Sequence, residues 1–213
     1  MFVAEGEDLV DSATTAGIEP AELLVAGDNV EPSLLAEISV LGHPPRVIGV
    51  FRRDDLRRDE VPDGGLALWR VADPGNVGTL IRSADALGPA FVALSPGSAD
   101  PTSPKAIRAS MGALFRVPLL NFDDAPRPWI ALVPRGGISL EEVAGLPNGS
   151  LVLGAEREGL TDEVLARCDE RATIPLAGAA DSLNVAMAGT IALYERTRRA
   201  ADNPHRSRPV EKT

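Results

Sequence analysis

Apolar positions along this chain switch between a period of two and a period near 3.6. Short runs at 2–4, 22–26, 47–51, 66–71, 91–94, 117–120, 129–133, 151–153 and 172–176 are apolar throughout or alternate, which predicts strands, with 22–26 read as buried. Between them, apolar residues recur at helical spacing. Leu9, Val10 and Ala13 predict a helix over 7–16 stopped by Gly17, and Leu34, Leu35, Ile38 and Leu41 one opened by Pro32-Ser33. Further helices are predicted over 79–87, 105–112, 139–144, 161–168 with Thr161 as N-cap, and 185–199. The turn signals Asp63-Gly64-Gly65 and 73–78 separate them.

Six strands follow residue 66, with helices between most of them. The fold class predicted is α/β, an open, mostly parallel sheet of about 140 residues, inside the usual domain range. A smaller α/β unit precedes it. The expected division is 1–58 for the small unit, 62–202 for the large one, and a disordered tail at 203–213.

Charge sharpens that division. The chain of 213 residues carries a net −10, and residues 1–60 hold 13 acids against 5 bases. The mixed stretch 52–60, four arginines against four acids, predicts a solvated linker. An acidic chain is not an obvious nucleic-acid binder, so such a role has to rest on local groups.

Composition removes several chemistries. One cysteine (Cys168) and two histidines (His43, His205) leave no intrachain disulfide and argue against a zinc site or a Ser-His-Asp triad. No GxGxxG or GxxxxGK[ST] is present. The N-terminus lacks a signal-peptide pattern, and the longest apolar run, 185–194, is too short to span a bilayer, so a soluble cytoplasmic protein is expected.

The stretch 174–195, IPLAGAADSLNVAMAGTIALYE, runs from a strand end through a small-residue loop into an apolar helix. Backbone amides at such a place face a ligand. Asp181-Ser182 is a candidate N-cap; Ser182 and Asn184 are either caps or functional groups. Arg82 is a surface arginine or an anion-binding one, placed one turn into its helix. Lys105 and Arg108 could face a phosphate. Glu156, just past a strand's C-terminal end, is a solvent-facing carboxylate or a ligand-site residue.

Three segments, DPGNVGTLIRSADALG (73–88), LVLGAEREGL (151–160) and the 174–195 stretch, resemble in order and spacing the three motifs of the SpoU (TrmH-like) branch of the SPOUT RNA methyltransferases. KAIRASMGALFRVPL (105–119) is similar to that family's intervening segment, and FVAEGEDLVDSATTAG (2–17) to the start of its ribosomal-protein-like substrate-binding domain. Position 155 is Ala where Asn is common. Two-domain members usually carry a basic segment before the FVAEG-like strand, whereas here the chain starts almost at it.

The resemblance implies methyl transfer from S-adenosylmethionine to a ribose 2′-hydroxyl of rRNA or tRNA, a C-terminal trefoil knot, and a homodimer with its active site near the subunit interface. It implies no metal and no membrane. It assigns catalytic roles to Arg82, Asn76, Glu156, Ser182 and Asn184. It places Leu132, Val133, Pro134, Gly154, Glu156, Ile174, Leu176 and Leu183 around the cofactor. Arginine is protonated in proteins, so Arg82 is expected to hold an RNA phosphate and polarise the hydroxyl, with Ser182 and Asn184 positioning the nucleophile or the loop. A catalytically silent RNA-binding or assembly factor on the same fold would require loss of these residues, and all are present.

Overall fold

The computed structural model describes residues 1–39, 43–143, 148–178 and 181–202. Three strands, β1 (Phe2–Glu5), β2 (Glu22–Val25) and β3 (Val47–Phe51), form a small antiparallel sheet in the order β1-β3-β2. Helices α1 (Glu7–Thr15) and α2 (Pro32–Ile38) connect them. α1 buries Leu9, Val10 and Ala13, the stripe its spacing predicts.

Two expectations fail in this unit. β2 is an edge strand whose first two residues are exposed, so its apolar run does not mark burial on both faces. In α2 only Leu35 is buried, while Leu34 and Ile38 are 53% and 57% exposed. Leu41, expected on the same face, lies outside the described residues.

Seven strands build the second sheet: β4 (Gly64–Leu68), β5 (Phe91–Leu94), β6 (Leu119–Asn121), β7 (Trp129–Leu132), β8 (Ile138–Ser139), β9 (Gly149–Leu153) and β10 (Glu170–Thr173). Their order is β6-β5-β4-β9-β7-β10-β8, and every pairing is parallel. The two-residue β8, short enough to escape a periodicity reading, is the strand beyond the six expected.

α3 (Pro74–Ala86), α4 (Pro104–Ser110), α5 (Leu140–Val143), α6 (Asp162–Arg167) and α7 (Val185–Asp202) complete the fold. The predicted end of α5 at Ala144 and the tail 203–213 lie outside the described residues. Among the described residues no helix is long and apolar enough to cross a membrane.

Parallel strands are covered on both faces, and side chains alternate between them. Leu66 and Leu68 of β4 and Leu151 and Leu153 of β9 enter one apolar cluster, with Val77, Leu80 and Ile81 of α3 and Leu193 of α7. Ala67 and Val152 face the other way, into a cluster with Phe91, Phe122, Trp129 and Val164. α3 and α7 pack closely because α7 offers Gly189, where a Cβ would stand 2.4 Å from Leu80 Cδ2. Ser83 and Thr190 hydroxyls bond across the same seam at 2.7 Å.

Gly64 and Gly65 belong to β4 and not to a turn. A Cβ on Gly64 would overlap the Arg196 guanidinium, and one on Gly65 would stand 2.3 Å from the Phe91 carbonyl oxygen. Here the glycines serve close approach in a crowded strand.

The stretch 52–60 joins the two sheets with most of its charged side chains exposed, and it is anchored at several points. Arg53 to Leu56 form a 3-10 turn that buries Leu56. Arg53 donates twice to Asp100, at 2.9 and 2.6 Å, and this pairing pulls the Asp100 carboxyl down to about 2. Arg58 donates to the Phe115 carbonyl. Phe2, Phe51 and Phe115 pack together with ring centroids 5.3 to 6.1 Å apart, so the small sheet's apolar face joins the large sheet's core.

Candidate active site

The loop leaving β4 enters α3 at Pro74, five residues before the predicted start. Asp73 is the N-cap: its Oδ1 accepts the Asn76 backbone N–H at 3.0 Å, and Pro74 follows at the first helical position, where a missing N–H costs nothing. Asp followed by Pro was the signal available in the sequence, masked by the turn character of Asp-Pro-Gly. Lys105, from α4, donates to Asp73 Oδ2 at 2.7 Å. That bond, with the Asn76 N–H, holds the Asp73 carboxyl below its ordinary value.

Glu156 projects from a tight turn after β9, closed by reciprocal backbone bonds between Ala155 and Gly159. Gly154 has no room for a side chain, since a Cβ would stand 2.2 Å from the Gly159 carbonyl carbon. The Glu156 carboxylate accepts three N–H groups from the α3 side. These are the Ala72 N–H at 3.2 Å, the Asp73 N–H at 3.1 Å and Asn76 Nδ2 at 3.0 Å. Burial pushes its proton affinity up, but the donors, Asn76 first, outweigh it and leave the carboxyl below the ordinary glutamate value.

The third member comes from the C-terminal stretch. Asn184 Nδ2 donates to Asn76 Oδ1 at 3.1 Å. Its own Oδ1 accepts the Ala186 and Met187 N–H groups at 2.9 and 3.2 Å. Asn184 is therefore the N-cap of α7, in place of the expected Asp181-Ser182, and it ties α7 to α3. Asp181 instead pairs with Arg135 at 2.5 Å, an exposed bridge between the loop after β7 and the loop before α7.

Beside this network the C-terminal ends of β9, β7 and β10 are adjacent in the sheet. Leu132 ends β7, and Val133, Pro134, Gly154 and Ile174 follow these three strands directly, so their backbones share one crevice at the C-terminal edge, where open α/β sheets bind ligands. β10 ends at Thr173, not at Leu176, so Ile174 and Leu176 belong to the loop. Leu132, Val133, Ile174, Leu176 and Leu183 are only half-buried, and Pro134 is exposed. Ser182 is exposed and makes no hydrogen bond among the described residues. Ala179 and Ala180 of the same loop lie outside them.

Arg82 stands apart. It is the ninth residue of α3, in the third turn and not the first. It lies about 9 Å along the axis from Asn76 and on a different face. Its side chain is exposed, and no hydrogen bond or ion pair joins it to Asn76, Glu156, Ser182 or Asn184. Its neighbour Ser83, about 100° round the helix, bonds Thr190 of α7, whereas Gly78, one turn before Arg82, faces Ala106 and Ala109 of α4. One face of α7 is apolar and uncovered: Met187, Ile191 and Tyr194, spaced i, i+4 and i+7, are 61%, 40% and 56% exposed.

Comparison with known proteins converges on one family. The model of the SpoU rRNA Methylase family matches residues 65–194. The 23S rRNA (uridine(2479)-2′-O)-methyltransferase of Streptomyces viridochromogenes is 34% identical over 78% of this chain, which spans 65% of that relative's length. The 23S rRNA (guanosine(2553)-2′-O)-methyltransferase RlmP of Bacillus subtilis is 29% identical over 91% of this chain and 87% of its own. Among solved structures, the SpoU methyltransferase AviRb from Streptomyces viridochromogenes in complex with AdoMet superposes with a TM-score of 0.81 and 28% identity, covering 94% of this chain and 90% of that one.

Proposed function

This chain belongs to the SpoU rRNA methylase family, and from that premise we propose that it transfers the methyl group of S-adenosylmethionine to a ribose 2′-hydroxyl of RNA, ribosomal RNA before tRNA. The observation that carries the proposal is the Asn76–Glu156–Asn184 network set against the crevice at the ends of β9, β7 and β10. All three family motifs meet there.

The crevice suits the cofactor. Half-buried aliphatic side chains (Leu132, Val133, Ile174, Leu176, Leu183) offer apolar walls to an adenine and a thioether, and Pro134 and the side-chain-free Gly154 leave backbone at the rim. When bound there, S-adenosylmethionine supplies an activated methyl group, so the chain's own work is positioning and charge control.

Glu156 is ionised and its lone pairs are largely engaged by N–H groups. It serves to fix the β4–α3 loop and not as the base. Asn76 and Asn184 pass that order to the start of α7, which holds the Ser182 loop in place. Ser182 presents a free hydroxyl to orient the ribose. Arg82 holds the RNA phosphate with its guanidinium fork and polarises the 2′-hydroxyl.

Arg82 reaches a site through a homodimer. A second copy covers Met187, Ile191 and Tyr194, and Arg82, exposed and unbonded to its own chain's site, enters the partner's crevice. The C-terminal segment is knotted in this reading: β9 inserts between β4 and β7, and α7 returns onto α3. Residues 1–58 form the substrate-binding unit and 62–202 the catalytic one, acting in the cytoplasm where ribosomal RNA is made.

The test is 2′-O-methyl mapping of ribosomal and transfer RNA from cells with and without the gene. A single site lost on deletion supports the proposal, and identical maps reject it. Light scattering of the purified protein tests the dimer independently.

A further inference from the structure

Among the described residues, two other than glycine hold a left-handed backbone, Met111 at φ 50° and Arg70 at φ 55°. That region is disfavoured for side chains with a Cβ. Met111 has a structural reason, because it is the C-cap that ends α4. Arg70 ends no helix. It follows β4 by two residues and is exposed.

The backbone around Arg70 is pinned. Trp69 N–H donates to the Leu153 carbonyl at 2.8 Å, and Arg70 N–H donates to the buried Ser95 Oγ at 2.8 Å. The next residues but one, Ala72 and Asp73, give their N–H groups to Glu156. The left-handed turn therefore sets the loop that organises the site. Glycine would adopt it freely. An arginine here places a cation at the sheet's C-terminal edge.

The side chain is free to act. None of the ion pairs among the described residues includes Arg70. Its stem lies against Gly97, where a Cβ would stand 3.5 Å from Arg70 Nε, in ordinary contact. Gly97 follows β5, so Arg70 leans to the β5 side of β4, whereas the cofactor crevice lies on the β9 side. Lys105 reaches the same loop at Asp73. Lys105 is paired with Asp73, which leaves Arg70 as the cation of residues 70–73 that no ion pair among the described residues engages, on a chain whose net charge is −10.

We propose that Arg70 is an RNA-binding residue, which grips a backbone phosphate next to the target ribose from the side of the site opposite the cofactor. This rests on the RNA methyltransferase reading above. Arginine suits the task, since its fork matches two phosphate oxygens.

Arg70→Gly separates this role from a structural one, because glycine relieves the backbone strain. The expected variant melts at the same temperature as the wild type or a few degrees higher and binds S-adenosylmethionine equally well. It binds deproteinised 23S rRNA roughly tenfold more weakly at about 0.1 M salt, and the slope of log affinity against log salt is shallower by about 0.7 to 0.9, the signature of one lost phosphate contact. KM for RNA rises by a similar factor while kcat holds. Arg70→Lys recovers part of the affinity.

Unchanged RNA affinity and salt slope in a folded Arg70→Gly would overturn the proposal. So would a fall in melting temperature with parallel loss of cofactor and RNA binding, which would make Arg70 a structural residue. Failure of the underlying function looks different, since the wild type itself would then methylate no RNA.

Discussion

Asn76 and Arg82 lie on the same helix, α3, and within the same family motif, yet the structure treats them oppositely. Asn76 is locked on both ends of its amide, to Glu156 and to Asn184. Arg82 is exposed and joined to none of them. The site has two halves. One is a self-satisfied network of Asn76, Glu156 and Asn184 that fixes three chain segments relative to one another before any substrate arrives. The other is a set of exposed groups, Arg82, Ser182 and Arg70, none of which joins that network. In the proposed function, preorganisation and reactivity fall to different residues.

The largest expected effect breaks the exposed half. Arg82→Ala should lower methyl transfer by about 10²- to 10³-fold, the range for removing one charge-stabilising donor. Unfolding and cofactor binding should stay as in the wild type, since Arg82 holds nothing else in place. Calorimetry with S-adenosylmethionine is the check, and lost cofactor binding would sink the assignment. If Arg82 works across a dimer, refolding Arg82→Ala together with Glu156→Ala should restore up to about a quarter of the activity, because half the dimers then contain one intact site. No recovery would place Arg82 in its own subunit's site.

Next comes the locked half. Glu156→Gln keeps the shape but turns an acceptor into an amide facing N–H groups of Ala72, Asp73 and Asn76. The loop should shift, and kcat should fall by up to about 10²-fold, the penalty that a 1 Å misplacement carries. Unlike Arg82→Ala, it should also weaken cofactor binding, because Glu156 shares its turn with Gly154. Equal cofactor affinity in both variants would erase the distinction between the halves.

Asn184 separates its two jobs. Asn184→Ala removes the α7 cap and should cost about 1 kcal/mol in urea unfolding. Asn184→Asp keeps an acceptor for the Ala186 and Met187 N–H groups but has no donor for Asn76 Oδ1. It should retain most of the stability while losing activity. If both variants unfold alike, the cap is not what Asn184 supplies.

How much of this the sequence disclosed follows the same division. The strands of the large sheet are legible because parallel strands buried on both faces are apolar throughout, as 66–68, 91–94 and 151–153 are. Helix starts are less so. α3 begins at Pro74 although Asp-Pro-Gly reads as a turn, and the same Asp-Pro pair is also a cap followed by a first helical residue. Asn184 reads as a cap or a functional group; it caps α7 and also bonds Asn76, a contact that sequence distance hides. In the small unit the apolar runs mislead, since β2 lies at an edge and α2 turns Leu34 and Ile38 outward. Periodicity reports that a face exists and not what covers it. Glycines misled in β4 for a related reason: Gly64 and Gly65 mark close neighbours, Arg196 and Phe91, which sequence distance hides. Arg70 gave no signal at all, because a left-handed arginine has no pattern.

The smallest predicted effect is a pH dependence that belongs to the locked half alone. Burial raises the Glu156 carboxyl, but the N–H groups of Asn76, Asp73 and Ala72 lower it further, so its folded value lies below the unfolded one, near 4.3. A carboxyl with a depressed folded value binds fewer protons in the native state. Its contribution to stability is therefore complete above the unfolded value and is lost as pH falls through the folded one. The difference in unfolding free energy between wild type and Glu156→Gln should be constant from about pH 6 to 8 and shrink below about pH 4. The half-exposed setting keeps it small, a shift of a few degrees at most in melting temperature. Arg82→Ala should follow the wild-type curve over the same range, since no hydrogen bond or ion pair joins Arg82 to Glu156. A Glu156→Gln difference that grew on acidification would mean that the carboxylate is strained by its surroundings and not held by them, and the network would then be a reactive group rather than a fixed frame.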